Sequence, residues 1–112
     1  MIYKICSSAE WREAERLGSF AGAGIDLRDG YIHLSTQAQL RETADRHFAG
    51  VADLVLVAVD EQALGATLKW ESARGGDLFP HLYGTLDPAA VRWAQPLPLG
   101  SDGRHVFPKL GA

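Results

Sequence analysis

An uninterrupted apolar run at residues 54–59 is the feature that most constrains the fold. It reads Leu-Val-Leu-Val-Ala-Val and lies between Asp53 and Asp60. Continuous apolar runs are typical of strands covered on both faces, whereas half-exposed strands alternate apolar with polar residues. We therefore predict a central strand over residues 53–59. Its side chains should divide between two covered faces, with Leu54, Leu56 and Ala58 on one and Val55, Val57 and Val59 on the other.

Two capping-box patterns predict the main helices. In a capping box, a Ser or Thr side chain and a Glu or Gln three residues later each accept a backbone N–H of the other. Apolar residues at helical spacing follow both patterns, and a glycine marks the end of each helix. We predict helices over residues 8–17 and 37–48, the first opened by Ser7 and Glu10 and the second by Thr36 and Gln39.

The remaining patterns complete an α+β domain. With 112 residues, the chain has the length of one compact domain with its own core. The order of the elements predicts a split, mixed but mostly antiparallel β-sheet with two main helices. Further strands are predicted at 2–5, 31–35, 67–71, 79–84, 91–95 and 104–107, short helical turns at 61–64 and at Asp87-Pro88, a loop at 19–29 and a flexible loop at 74–77.

Composition narrows the classes of function. The formal net charge is −3 with both signs interspersed, which disfavours nucleic-acid binding. A single cysteine, Cys6, excludes an internal disulfide framework, and the four histidines lack the paired spacing of metal ligands. The N-terminus lacks signal-peptide regions, and no apolar stretch has membrane-spanning length. We therefore expect a cytoplasmic protein without a metal or a membrane partner; the oligomeric state is left open.

Two strings each place a histidine within an apolar strand, with a hydroxyl two positions later. These are Tyr31-Ile32-His33-Leu34-Ser35 and Phe79-Pro80-His81-Leu82-Tyr83-Gly84. Side chains alternate across a strand, so the histidine and the hydroxyl of each string share a face. Polar pairs on such faces need partners, and each histidine could simply tie its strand to a nearby loop. Because the pattern occurs twice, we predict that both pairs converge on one cleft.

With these strings, the chain resembles the small bacterial family known as domain of unknown function 952. That family is distantly similar to the ADP-ribosyltransferase-like superfamily, whose members bind NAD in a cleft between two halves of a split sheet. The resemblance implies NAD, or a related nucleotide, as a substrate rather than as a resident cofactor. It rests on Ile2-Tyr3-Lys4-Ile5, Glu10-Trp11, Gly30 to Ser35 with Gln39, the apolar strand ending in Asp60, Trp70-Glu71, Phe79 to Gly84, and Ala90-Val91.

The resemblance implies three catalytic candidates. His33 would hydrogen-bond a ribose hydroxyl, and His81 would act as a general acid or base near neutral pH. Glu71 would stabilise the positive charge that develops on the ribose when the bond to nicotinamide breaks. Glu71 precedes a glycine-rich loop, however, so a carboxylate solvated at a strand edge is the alternative. On this reasoning, His33 should matter more than Glu71.

Four further residues are candidate ligand contacts. Ser35 would support His33, Tyr83 and Trp70 would offer rings, and Lys4 would pair with a phosphate. Each of the four also has a structural alternative. Ser35 could satisfy only the amides of its loop, and Tyr83 could make only a packing contact. Trp70 could lie in the core, and Lys4 could be solvated. Superfamily members with a histidine in the first strand differ here, because this chain has Lys4.

Two other functions stay open. The paired histidines suggest a phosphoesterase acting on a cyclic phosphate, although Tyr83 replaces the small hydroxyl that this pattern requires. A non-catalytic module that binds a nucleotide metabolite or a partner would use the same His33, Ser35 and His81.

Overall fold

The computed structural model describes residues 1–73 and 75–110 of the chain. Arg74, in the predicted flexible loop, lies outside these described residues. The strands within them are β1 (Ile2–Ser7), β2 (Ile32–His33), β3 (Leu54–Val59), β4 (Leu68–Ala73), β5 (Asp77–Leu82) and β6 (Val91–Leu97). The α-helices are α1 (Ser8–Leu17), α2 (Ile25–Asp29) and α3 (Leu40–His47), and short 3₁₀ helices lie at Gln37–Gln39, Glu61–Ala63, Gly65–Thr67 and Pro88–Ala90.

The strands form two three-stranded sheets, which agrees with the predicted split α+β fold. One sheet has the order β1-β3-β6 and the other β2-β5-β4. Every strand pairing in the described residues is antiparallel, so the parallel pairs of a mixed sheet do not form there. Tyr3 and Ser35 join the sheets through two backbone hydrogen bonds of 2.8 and 2.9 Å. This junction brings Lys4 of β1 close to the first histidine string.

The apolar run at 54–59 is the central strand of its sheet, as predicted. β3 pairs with β1 on one side and with β6 on the other. Its side chains are covered on both faces, and they contribute to two separate cores. Leu54, Leu56 and Ala58 pack in one core with Tyr3, Ile5 and Leu40, and Val55, Val57 and Val59 pack in the other with Ile2, Trp11 and Ile32.

Both predicted capping boxes form. Ser7 Oγ accepts from the Glu10 backbone N–H at 3.0 Å, and Glu10 Oε1 accepts from the Ser7 N–H at 2.9 Å. The second box, at Thr36 and Gln39, opens a 3₁₀ turn that continues into α3. No helix among the described residues has the length and apolar character needed to cross a bilayer.

Two predicted segments differ from the structure. The loop predicted at 19–29 contains α2, whose end at Gly30 has a φ of 84° and donates its N–H to Asp26 O. The strand predicted at 104–107 does not form, and only His105 makes an isolated bridge to Leu99. Proline lacks the N–H that a β-ladder needs, and prolines at 98 and 108 flank the pairing region.

Candidate functional site

The two histidine strings meet on one face of the second sheet. His33 of β2 pairs directly with His81 of β5, and their ring centroids lie 5.4 Å apart. Tyr31 and Tyr83 lie on the same face because each is two residues from a histidine. The Tyr31 ring lies 4.3 Å from that of His81 and 5.0 Å from that of Tyr83. The predicted convergence of His33 and His81 therefore occurs.

Glu71 and His81 form a carboxylate–imidazole pair. His81 Nδ1 lies 2.8 Å from Glu71 Oε1, and the Tyr83 hydroxyl donates to the same oxygen at 2.7 Å. An ionised carboxylate only accepts, so Nδ1 is the donor in this pair. The hydrogen bonds from Tyr83 and from His81 lower the pKa of Glu71, and the bond to Glu71 raises the pKa of Tyr83 to about 12.

This pair corrects the expectation that water surrounds the Glu71 carboxylate. The side chain is 40% exposed, but its oxygen has two side-chain partners from the neighbouring strand. Tyr83 thereby holds the carboxylate through its hydroxyl, which is a different role from the ring contact to a ligand that was expected.

Asp26 of α2 is the fixed anchor of His33. Asp26 Oδ1 lies 2.6 Å from His33 Nδ1 and accepts the His33 backbone N–H at 3.1 Å. Burial by itself would raise the pKa of Asp26, but hydrogen bonds from His33 and the charge of Lys4 outweigh it and lower the pKa to about 2. Asp26 is therefore a fully ionised carboxylate beneath the site at neutral pH.

Lys4 is buried against this carboxylate, which differs from the expected solvated lysine. Its side chain is 7% exposed, and Nζ lies 2.6 Å from Asp26 Oδ2 and 3.1 Å from the carbonyl oxygen of His33. Because its charge is already compensated by Asp26, Lys4 positions the first histidine string. The expected pairing with a phosphate would have to compete with this contact.

A second carboxylate flanks the other side of His33. Asp29 Oδ2 lies 3.1 Å from His33 Nε2, at the end of α2. The His33 side chain is 29% exposed, whereas the His81 side chain is only 6% exposed. The two histidines therefore differ in accessibility although their rings are close.

A cavity of about 360 Å³ opens at the junction of the two sheets. Lys4, His33, Ser35 and His81 all contribute to its lining, so four of the predicted site residues share it. Glu71 holds Nδ1 of His81, and no described residue hydrogen-bonds Nε2. Nε2 is thus the nitrogen of His81 that is left for a ligand. Apolar contributions come from Ile5, Phe48 and Phe79.

Two polar groups of the cavity have limited chemistry. The Ser35 hydroxyl lies 2.9 Å from Thr43 Oγ1, which itself donates to Gln39 O, so Ser35 is the donor in this pair and can only accept from a ligand. Burial raises the pKa of Cys6 to about 12, so its thiol stays protonated at neutral pH and is a poor nucleophile.

Trp70 is not part of the site. It neighbours Glu71 on β4 and therefore points to the opposite face of the strand. It is opposite Pro80 in the β4–β5 register and is 42% exposed, so it is not in the core, and it does not line the cavity. The strand period, applied from Glu71, would have separated the two residues.

Three residues that contact the two histidines or Lys4 were not predicted from the sequence: Asp26, Asp29 and Tyr31. Tyr31 could have been found, because it precedes His33 by two positions and must share its face. Asp29 lies in the segment predicted as a loop at 19–29. No local signal identifies Asp26, since its contacts to Lys4 and His33 depend on how α2 packs against β2.

Gly22 leaves the space that Asp26 occupies. A Cβ at Gly22 would lie 2.8 Å from the Asp26 Cβ, and the φ of Gly22 is 113°. We expect Gly22→Ala to lower the free energy of unfolding by about 1–3 kcal/mol, because overlap adds to backbone strain. Urea unfolding measures this effect, and Gly50→Ala is the control, with a φ of 72° and open space around its Cβ. Equal losses in both variants would contradict the overlap.

Comparisons with known proteins agree with this architecture. The sequence profile of the family described as "Protein of unknown function (DUF952)" matches residues 5–94. A crystal structure of protein CC0527 from Caulobacter crescentus is 50% identical in sequence, with a TM-score of 0.90 over 94% of this chain and 92% of that one. A solution NMR structure of CC0527, also 50% identical, has a TM-score of 0.82 and covers 92% and 89% of the two chains. No curated protein matches the chain.

Proposed function

This chain belongs to the DUF952 family, and we propose that it binds the nicotinamide–ribose part of NAD or of a related nucleotide and transfers the ribosyl group. The acceptor is water or a hydroxyl. One observation carries the proposal: His81, whose Nδ1 lies 2.8 Å from Glu71 Oε1, lines a single cavity together with His33. A carboxylate that orients an imidazole is the arrangement of a general base.

The proposed reaction uses these groups in one displacement. The bond between C1′ of the ribose and the pyridinium nitrogen breaks, and its electron pair stays with nicotinamide, which leaves as a neutral molecule. A bond forms between C1′ and the oxygen of the acceptor, whose proton passes to Nε2 of His81. The imidazolium keeps its Nδ1–H on Glu71. His33 binds a ribose hydroxyl through Nε2, in place of the 3.1 Å contact that this atom makes with Asp29 Oδ2.

The charges of the cluster favour a cationic reacting group. Asp29 and Glu71 place carboxylates beside the two imidazoles, and the charge of Lys4 is already compensated by Asp26. Lys69, opposite His81 in the β4–β5 register, is one cation that faces these two carboxylates. Carboxylates stabilise the positive charge that develops on the ribose in the oxocarbenium-like transition state. An anionic phosphate at the same place would be repelled by them.

The architecture supports the same proposal. An ADP-ribosyltransferase-like protein would bind NAD between two halves of a split sheet. Here the cavity lies where β1 of one sheet meets β2 and β5 of the other. A ribosyl group at that junction would contact residues from both sheets, namely Lys4 on one side and His33 and His81 on the other.

A cyclic-phosphate esterase is the second candidate, favoured by one observation. With the His33 and His81 rings 5.4 Å apart, one imidazole could act as base and the other as acid on a phosphate bound beside both rings. The flanking carboxylates count against it. Titration with a cyclic nucleotide separates the two functions.

The test is calorimetric titration of the full chain with NAD, ADP-ribose and a 2′,3′-cyclic nucleotide, together with an assay for released nicotinamide. We expect wild type to bind NAD and His33→Ala to bind it about tenfold to a hundredfold more weakly, because a polar contact to the ribose is lost. Glu15→Gln, which removes an exposed carboxylate on α1, is the control and should bind as wild type.

The outcomes separate the candidates. Binding and turnover of the cyclic nucleotide without NAD binding would favour the esterase. No heat with any of the three ligands would point to a module that binds a protein partner. His33→Ala binding NAD as tightly as wild type would overturn the proposed NAD site.

A further inference from the structure

We propose that Tyr31 is a positioning residue that holds the imidazole of His81 in its working orientation. This inference deepens the proposed function, because it rests on His81 acting as the base. Tyr31 does not line the cavity, so a direct contact with the substrate is not its role. Its ring instead stacks on His81, with centroids 4.3 Å apart and planes 29° from parallel.

The position of Tyr31 follows from the pairing of β2 with β5. His33 is opposite His81 and Ile32 is opposite Leu82, so continuing the register places Tyr31 opposite Tyr83. Tyr31 is then the diagonal neighbour of His81, and aromatic side chains reach each other across such diagonals. Its ring also lies 4.6 Å from that of His33, so it contacts both imidazoles.

A single hydrogen bond is not enough to fix an imidazole. The bond from His81 Nδ1 to Glu71 does not by itself set the plane of the ring, and the Glu71 side chain is 40% exposed. A stacked ring restricts the plane of the imidazole as well. Glu71 therefore sets which nitrogen of His81 holds the proton, and Tyr31 keeps the ring in the plane in which Nδ1 meets Glu71, so that loss of the stack lets the ring turn and release this bond.

The ring of Tyr31, rather than its hydroxyl, carries this role. No described residue forms a hydrogen bond with the Tyr31 hydroxyl. Burial, and then the charges of Asp29 and Glu71, raise the pKa of Tyr31, so the phenol stays neutral beside the imidazoles. Tyr31→Phe should consequently keep both the orientation of His81 and the turnover of wild type.

The test compares Tyr31→Phe with Tyr31→Leu in the ¹⁵N-labelled full chain. Imidazole ¹⁵N spectra show which nitrogen of His81 is protonated. We expect wild type and Tyr31→Phe to show His81 with a proton on Nδ1, and Tyr31→Leu to show a mixture of the two tautomers. In nicotinamide release, Tyr31→Leu should lower kcat about tenfold and leave KM within about twofold of the wild-type value. Tyr31→Phe should keep the wild-type kcat and KM.

Two results would overturn the proposal: a wild-type His81 spectrum in Tyr31→Leu, or the same defect in Tyr31→Phe as in Tyr31→Leu. If Tyr31→Leu does not fold, Tyr31→Met replaces it, because its longer side chain fills more of the space. The spectra need no substrate. An absence of nicotinamide release from wild type would therefore count against the proposed function, while the tautomer comparison still decides the role of Tyr31.

Discussion

Asp26→Asn should lower the free energy of unfolding by about 3–5 kcal/mol. Removing one partner of a buried ion pair leaves the other charge buried without compensation. Here the unpaired group would be Lys4, whose side chain is 7% exposed and whose ammonium lies 2.6 Å from Asp26. His33 would also lose the carboxylate that holds its Nδ1. Urea unfolding at neutral pH measures the loss.

Controls for this prediction come from a surface pair and from a double variant. Asp45→Asn removes the partner of Arg104 in an exposed pair and should change stability by about 1 kcal/mol or less. Adding Lys4→Met to Asp26→Asn should recover part of the loss, because the uncompensated charge is then gone. Equal effects of Asp26→Asn and Asp45→Asn would contradict a structural role for the buried pair.

The same carboxylate should give the protein a specific acid sensitivity. The folded-state pKa of Asp26, about 2, lies below its ordinary value of 3.8. The ionised form is therefore the one that folding stabilises, and this contribution is fully present above the ordinary pKa. It should be lost as the pH falls from about 4 to about 2. The difference in stability between wild type and Asp26→Asn, measured over this range, should shrink accordingly.

His81→Gln should have the largest effect on turnover. If His81 is the general base, its removal should lower kcat for nicotinamide release by about a hundredfold to ten-thousandfold. Glutamine keeps a polar side chain of similar reach but cannot take up the proton of the acceptor. NAD binding should change much less, because the base acts on the attacking group. Steady-state kinetics and calorimetry on one preparation measure both quantities.

Glu71→Gln is the companion variant. It should leave NAD binding nearly unchanged and lower kcat by less than His81→Gln does, since the imidazole stays in place without its charged partner. Glu15→Gln should match wild type in both measurements. A His81→Gln variant that releases nicotinamide at the wild-type rate would remove His81 from the mechanism.

Local sequence patterns determined the central strand and the starts of the two long helices. They also determined which residues share a strand face with each histidine. These features depend on contacts within a few residues. The hydrogen bonds of a capping box join residues three positions apart, as between Ser7 and Glu10. Successive side chains of a strand point to opposite faces whatever element lies beside it. For the same reason the apolar run at 54–59 indicated a covered strand before its neighbours were known.

Tertiary structure alone decided how the site is charged. Asp26 meets Lys4 and His33 because α2 packs against β2, and Glu71 meets His81 because β4 pairs with β5 in one particular register. Each of these contacts joins residues of different elements, at least seven positions apart, and no local pattern encodes the distance between them. Residue types therefore indicated that histidines would matter, but which carboxylate orients each imidazole followed only from the packing of the elements.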